Sequence, residues 1–308
     1  MRHLVSLLIV TAAAALMPAW ASQQHAIPLE LTRSGHLVAE LTINETSQTT
    51  ALIDTAATFP MIDDAVAAGV GVAPDSMPAM VDIIGIGPVS TFPVVDMGSL
   101  SLGNLPLTGA RMAYNAEFDL PGAVNVIPAG SIPLRTLDFD FPRSRLLAYD
   151  RRPRHVTRAV TSRLPIEWME GLPFMRVEVN GREGLALIDT GANVSYLNSV
   201  FARNAARSLN DFRTVELVGA TGSTRLVSIL SSRDFTLGGF NVRRFDVYVS
   251  DPEFLASIGL DDQPVMVIGL DILSRFRVQI DRVDSEISFC LPQKHKRNGP
   301  GMTLYNDW

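Results

Sequence analysis

Ala51-Leu52-Ile53-Asp54-Thr55-Ala56-Ala57 returns 135 positions later as Ala186-Leu187-Ile188-Asp189-Thr190-Gly191-Ala192. Ser101-Leu102-Gly103 returns at the same offset as Thr236-Leu237-Gly238, and segment 35–44 is paralleled by 171–180 at an offset of 136. One extra residue in the turn before Asp54 accounts for the changed offset. A repeat that keeps register over three separate segments is the mark of a duplicated structural unit. The chain is therefore expected to fold as two copies of one lobe joined in tandem.

Each copy reads as mostly strand. Leu37, Ala39, Leu41 and Ile43 alternate with more polar neighbours, as do Met175, Val177 and Val179, which is the period of a half-buried strand. An apolar strand then runs into each Asp-Thr pair. Short helical stretches follow near 63–68 and 198–208. Hairpin candidates come next at Gly85-Ile86-Gly87 and Gly219-Ala220-Thr221-Gly222, and strand-like runs at 137–149 and 276–291 close the copies. The expected fold class is all-β, with lobes over 22–150 and 164–292 and the active site at the lobe interface. A basic linker is expected over 151–163, carrying Arg151, Arg152, Arg154, Arg158 and Arg163, and a disordered tail over 293–308.

The first residues read differently. Arg2 precedes an apolar run over 4–17, and Ala19-Trp20-Ala21 has a small-x-small cleavage pattern. This predicts a signal peptide over 1–21 and a secreted or periplasmic chain starting at Ser22. The run is shorter than the roughly 20 residues a membrane span needs. No cysteine follows it to carry a lipid, so no stable membrane anchor is expected. Cys290 is the only cysteine, so no internal disulfide can form, and its strand-like surroundings predict a buried thiol. Packing must hold the lobes together, and 308 residues of which 47% are hydrophobic suffice for two cores.

Several chemistries are excluded. A net charge of −6 offers nucleic acid no counterion-releasing surface. The five histidines show no metal-ligand spacing, so neither a metal nor a cofactor is expected. Gly69-Val70-Gly71 begins a dinucleotide fingerprint, but Pro74 stands where its third glycine belongs, and no Gly-x-Ser-x-Gly elbow occurs.

The repeated aspartates remain. An apolar strand ending in Asp-Thr delivers a carboxylate from the core to a fixed point, where turn N–H groups can hold it. The threonine hydroxyl can reach across to the partner loop. Two such loops face to face would put two carboxylates in one site, where they share a single proton. One member then serves as general base toward a water, the other as general acid toward a carbonyl.

These residues resemble the aspartic peptidases of the retropepsin and pepsin type. Leu187-Ile188-Asp189-Thr190-Gly191-Ala192 looks like the catalytic loop of that family, and Val267-Ile268-Gly269 looks like the segment supporting it. The lobe size is closer to retropepsins, and two retropepsin-like lobes in one chain need no obligate homodimer. The resemblance implies Asp54 and Asp189 as the catalytic pair. Thr55 and Thr190 would interlock beneath it, with Ala56 and Gly191 completing the supporting loops. Asn193 is implied as a substrate contact, and Gly85, Ile86, Gly87, Ala220, Thr221 and Gly222 as substrate-covering hairpins. The implied partner is a peptide or protein substrate. The first copy departs from the pattern: Ala56 stands where glycine is expected, and Ile127-Pro128 where Ile268-Gly269 predicts glycine. Alanine is strained if its position needs positive φ, and proline removes a supporting N–H. The expected function is an aspartic endopeptidase; the alternative is a catalytically silent peptide- or protein-binding module on the same fold.

Overall fold

The computed structural model describes residues 24–84, 89–107, 109, 111–117, 125–218, 224–292 and 302–305. Strands dominate and gather into three sheets, with only short helices between them. In the N-terminal sheet, Leu37–Ile43 and Ser47–Asp54 form a hairpin, and Asn125–Pro128 lies parallel to Ser47–Asp54. Met61–Asp63 joins next, then Arg111–Asn115, Ser90–Asp96 and Met80–Ile83.

The C-terminal sheet follows the same succession. Leu172–Val179 and Arg182–Ile188 form its hairpin, and Val265–Ile268 runs parallel to Arg182–Ile188. Tyr196–Leu197, Phe240–Val249, Thr224–Leu237 and Phe212–Val218 then add in order. The one-residue difference in offset lies in the hairpin turns. Ile43 pairs with Ser47 across three residues, whereas Val179 pairs with Arg182 across two. Asn44 and Asn180 both open their turns at positive φ, a conformation asparagine tolerates better than most residues.

The third sheet joins the halves. His25–Pro28, Arg145–Tyr149 and Thr136–Asp140 meet Arg277–Asp281, Glu286–Pro292 and Ala159–Pro165, all antiparallel. Its central pair, Thr136–Asp140 with Arg277–Asp281, brings Leu137 opposite Ile280 and Phe139 opposite Val278. The buried apolar core runs without a break from Ile53 and Leu137 to Ile188, Phe276 and Phe289. At about 25 cal/mol per Å² of apolar surface removed from water, such a core is the main stabilising term of a chain without disulfides.

Charge is also buried there. Asp138 is fully buried and takes a bidentate pair from Arg277, Nε at 2.7 Å and Nη2 at 2.6 Å. Gln279 Nε2 and the Tyr149 hydroxyl also donate to Asp138 Oδ2, at 2.9 and 3.1 Å. Burial and the neighbouring Asp138 charge push the Tyr149 hydroxyl upward, so it remains a donor. This network ties residues of both halves together.

Two expectations about the chain between and beyond the lobes need correction. The basic segment is not only a connector: Ala159–Pro165 pairs over its length with Glu286–Pro292 and forms an edge of the joining sheet. Val160 and Leu164 pack on the core there, so the segment has an apolar face that its arginines obscured. The tail likewise contains a strand, Met302–Tyr305, parallel to Phe240–Arg243 on an otherwise open edge. Backbone groups left unpaired at a sheet edge favour such an addition. Residues 1–21 lie outside the described residues, among which no helix is long and apolar enough to cross a membrane.

Candidate active site

Two buried strands end at the site. Ala51, Leu52 and Ile53 lead to Asp54, and Ala186, Leu187 and Ile188 lead to Asp189, all six leading residues being buried. Each aspartate opens a turn whose N–H groups fold back on its own carboxylate. Asp54 Oδ1 accepts from Ala56 N at 2.7 Å and Ala57 N at 3.1 Å. Asp189 Oδ1 accepts from Gly191 N at 2.8 Å and Ala192 N at 2.9 Å. With one oxygen of each carboxyl fixed, the two groups meet and share a side-chain hydrogen bond. Both keep partial solvent contact, so a water can reach them.

The pair titrates abnormally. Burial raises both carboxyls above the ordinary carboxylate range. For Asp189 the negative charge of Asp54 adds to burial, whereas the hydrogen bond between them favours ionised Asp54. The pair therefore keeps a proton into a pH range where free carboxylates are ionised, and that proton belongs to the two carboxyls jointly. Tyr196 was missed at the sequence level. It is buried next to the pair, and burial followed by the charges of Asp189 and Asp54 raises its hydroxyl.

Beneath the carboxylates the threonines cross. Thr55 Oγ1 donates to Ile188 O and Thr190 Oγ1 to Ile53 O, both at 2.6 Å. Each hydroxyl also accepts the other's backbone N–H, Thr55 N to Thr190 Oγ1 at 3.1 Å and Thr190 N to Thr55 Oγ1 at 3.0 Å. These bonds lock the two loops into one rigid unit.

Gly191 and Ala56 differ for a steric reason. A Cβ on Gly191 would stand 2.4 Å from Asp54 Oδ2, so only glycine fits. Neither residue has positive φ. The alanine is thus unstrained, and its side chain packs against the cluster of Leu172, Phe174 and Leu187 from the other half.

Pro128 is accommodated with equal economy. Gly269 N donates to Ser195 Oγ at 2.9 Å, and Ser195 in turn donates its hydroxyl at 2.6 Å and its N–H at 3.0 Å to Asp271. In the other loop, Pro60 follows Asp54 by six residues as Ser195 follows Asp189, Pro128 pairs in register with Asp54, and Gly130 takes the place of Asp271. Donors and acceptors have disappeared together, so no polar group is orphaned. Neither Ser195 nor Asp271 was identified from the sequence; the signal was this concerted difference between the two halves.

Asn193 is half-buried. Its side-chain amide donates to Ser34 O at 3.0 Å, joining the Asp189 loop to the N-terminal half. Gly85, Ile86, Gly87, Ala220, Thr221 and Gly222 lie outside the described residues. The strands leading to them are paired, Ile83 with Ser90 and Val218 with Thr224. Among the described residues no group of three or more His, Cys, Asp or Glu side chains is arranged to hold a metal ion. The family model for aspartyl proteases matches residues 175–272, which include the Asp189 loop and the Val265–Ile268 strand beside it. No curated protein matches the chain.

Proposed function

With an aspartyl protease domain over residues 175–272 as premise, we propose that the chain is an aspartic endopeptidase in which Asp54 and Asp189 act as one unit. A water held between the carboxyls loses a proton to ionised Asp54 as its oxygen attacks the scissile carbonyl. Asp189 gives its proton to the carbonyl oxygen, leaving a neutral gem-diol. Collapse of the diol returns a proton to Asp189, and the proton on Asp54 passes to the departing amine. The observation that carries this reading is the matched pair of carboxylates, each fixed by two backbone N–H groups and joined to the other by a side-chain hydrogen bond. Fixed charge placement of this kind needs no reorganisation during reaction.

The same strand succession in both sheets supports descent of the halves from one duplicated lobe, with the site at their interface. One chain then supplies both aspartates and requires no second copy. Its substrate is an extended peptide or protein, met in the periplasm or outside the cell after cleavage near Ala21. N-terminal sequencing of exported protein should find Ser22 first.

Asp54→Asn and Asp189→Asn, singly and together, test the mechanism against a diverse peptide library. Each single change should lower cleavage by several orders of magnitude, and the double variant should be hardly worse. Near-normal turnover by either single variant would sink the shared mechanism. Binding without cleavage by the unaltered chain across acidic and neutral pH would make it a binding module instead.

A further inference from the structure

A cavity of ≈ 360 Å³ opens beside the Asp54 loop without including either aspartate in its lining. Its lining includes Leu137 and Ile280 of the joining sheet, Trp168 and Pro173, and Thr55 of the interlocked loops. The size falls at the lower end of the range for small-molecule sites, and the walls are mostly apolar. One lining group is out of keeping with them. Arg282 is half-buried and, among the described residues, donates only to main-chain carbonyls: Nη1 to Ile132 O and Leu134 O, Nη2 to Gly130 O. Among the described residues no carboxylate lies within 4 Å of its guanidinium. Neighbouring Asp281 and Asp284 are engaged by Arg135 instead. A guanidinium has five N–H donors, and neither Nε–H nor the second Nη2–H of Arg282 meets an acceptor among the described residues.

We infer that this cavity binds a small apolar carboxylate, its hydrocarbon part against Leu137, Ile280 and Trp168 and its carboxylate on Arg282. The carbonyls orient the guanidinium without neutralising it, which leaves a full positive charge at the rim of an apolar space. A carboxylate fits that donor edge in planar geometry, and partial desolvation strengthens the contact. A neutral ligand would leave the charge unanswered, and a polyanion would not suit the apolar walls. The inference is independent of proteolysis, since the site requires neither Asp54 nor Asp189.

Titration with 4-phenylbutyrate and with 4-phenylbutan-1-ol, followed calorimetrically and by tryptophan emission, tests it on the unaltered chain. The acid should bind about tenfold or more tightly than the alcohol, as expected for a hydrogen bond to a charged group. Its emission change should vanish in Trp168→Phe. Arg282→Gln should erase the preference for the acid, and Arg282→Lys should restore part of it. Asp54→Asn should bind as the unaltered chain does, which separates this site from the catalytic proposal. N-acetylphenylalanine run beside 4-phenylbutyrate distinguishes a peptide end from a free organic acid by which binds more tightly. Equal binding of acid and alcohol, binding of neither, or an Arg282→Gln affinity for the acid that is unchanged would overturn the assignment. Should Arg282→Gln fail to fold, the acid-to-alcohol comparison decides alone.

Discussion

Thr55 and Thr190 each donate a hydroxyl to the strand that carries the other and accept the other's N–H, so neither loop can move alone. The isosteric change Thr190→Val removes the acceptor of Thr55 N–H and the donor to Ile53 O, leaving two buried backbone groups unpaired. Each orphaned group costs about 1–3 kcal/mol, so the variant should lose about 2–6 kcal/mol in denaturant unfolding. Thr190→Ser keeps the hydroxyl and should stay near the parent. A Val variant as stable as the Ser variant would show that the bonds contribute nothing.

One carbon added at Gly269 and one carbon removed at Ala56 should have unequal effects on the site. A Cβ on Gly269 would stand 2.8 Å from the backbone of Val194, so Gly269→Ala should shift the Asp189 loop and strongly reduce turnover. Ala56→Gly enlarges no allowed conformation, because Ala56 has no positive φ to relieve. It should leave kcat within about twofold and lower stability by up to ~1 kcal/mol through the unfolded chain. A large gain of activity in Ala56→Gly would mean that the alanine impairs the site after all.

Asp138 makes the third test. Its carboxylate is buried with Arg277 as its main partner, so removing one charge strands the other in the joining sheet. Arg277→Met should cost about 3–5 kcal/mol in unfolding experiments. Replacing both, as Asp138→Leu with Arg277→Met, should recover much of that loss, because no charge is then left unpaired. A double variant as unstable as the single one would locate the defect in packing rather than charge.

How much of this was legible follows from what kind of signal each feature leaves. The Asp54 and Asp189 loops are local motifs repeated in register, and the strands feeding them carry period-2 patterns, so both could be read from residues alone. The joining sheet could not, because pairing His25 with Ala148 or Thr161 with Cys290 depends on contacts far apart in the chain. Its strand Ala159–Pro165 was hidden by arginines whose apolar neighbours, Val160 and Leu164, face the core. Pro128 looked like a lost support until Pro60 supplied the other half of the exchange. The resemblance implied Asn193 as a substrate contact; the bond of its amide to Ser34 O was not legible, because only the assembled halves bring that partner near.

The carboxyl pair should also imprint its titration on stability and on activity, with related pH windows. Unfolded, Asp189 titrates near its ordinary 3.8, whereas burial and the Asp54 charge raise it in the folded chain. Between those two values the folded state binds more protons than the unfolded state, so stability falls as pH rises through the window. Below the window both states are protonated and the penalty vanishes; above it the penalty is complete. Asp189→Asn cannot ionise. Its gain in Tm over the parent should be small near pH 3.5 and grow steadily as the pH approaches 8. Burial raises Asp54 as well, so Asp54→Asn should move in the same direction. Cleavage should in turn be bell-shaped: lost at low pH when the pair takes up a second proton, and lost at higher pH when it gives up its last one. The alkaline limb must lie above the ordinary carboxylate range, because that is the direction in which Asp189 is displaced. Thermal melts at several pH values, set beside a pH–rate profile, check both halves of the argument. A Tm gain that is flat with pH, or that shrinks as pH rises, would show that the folded pair holds no extra proton.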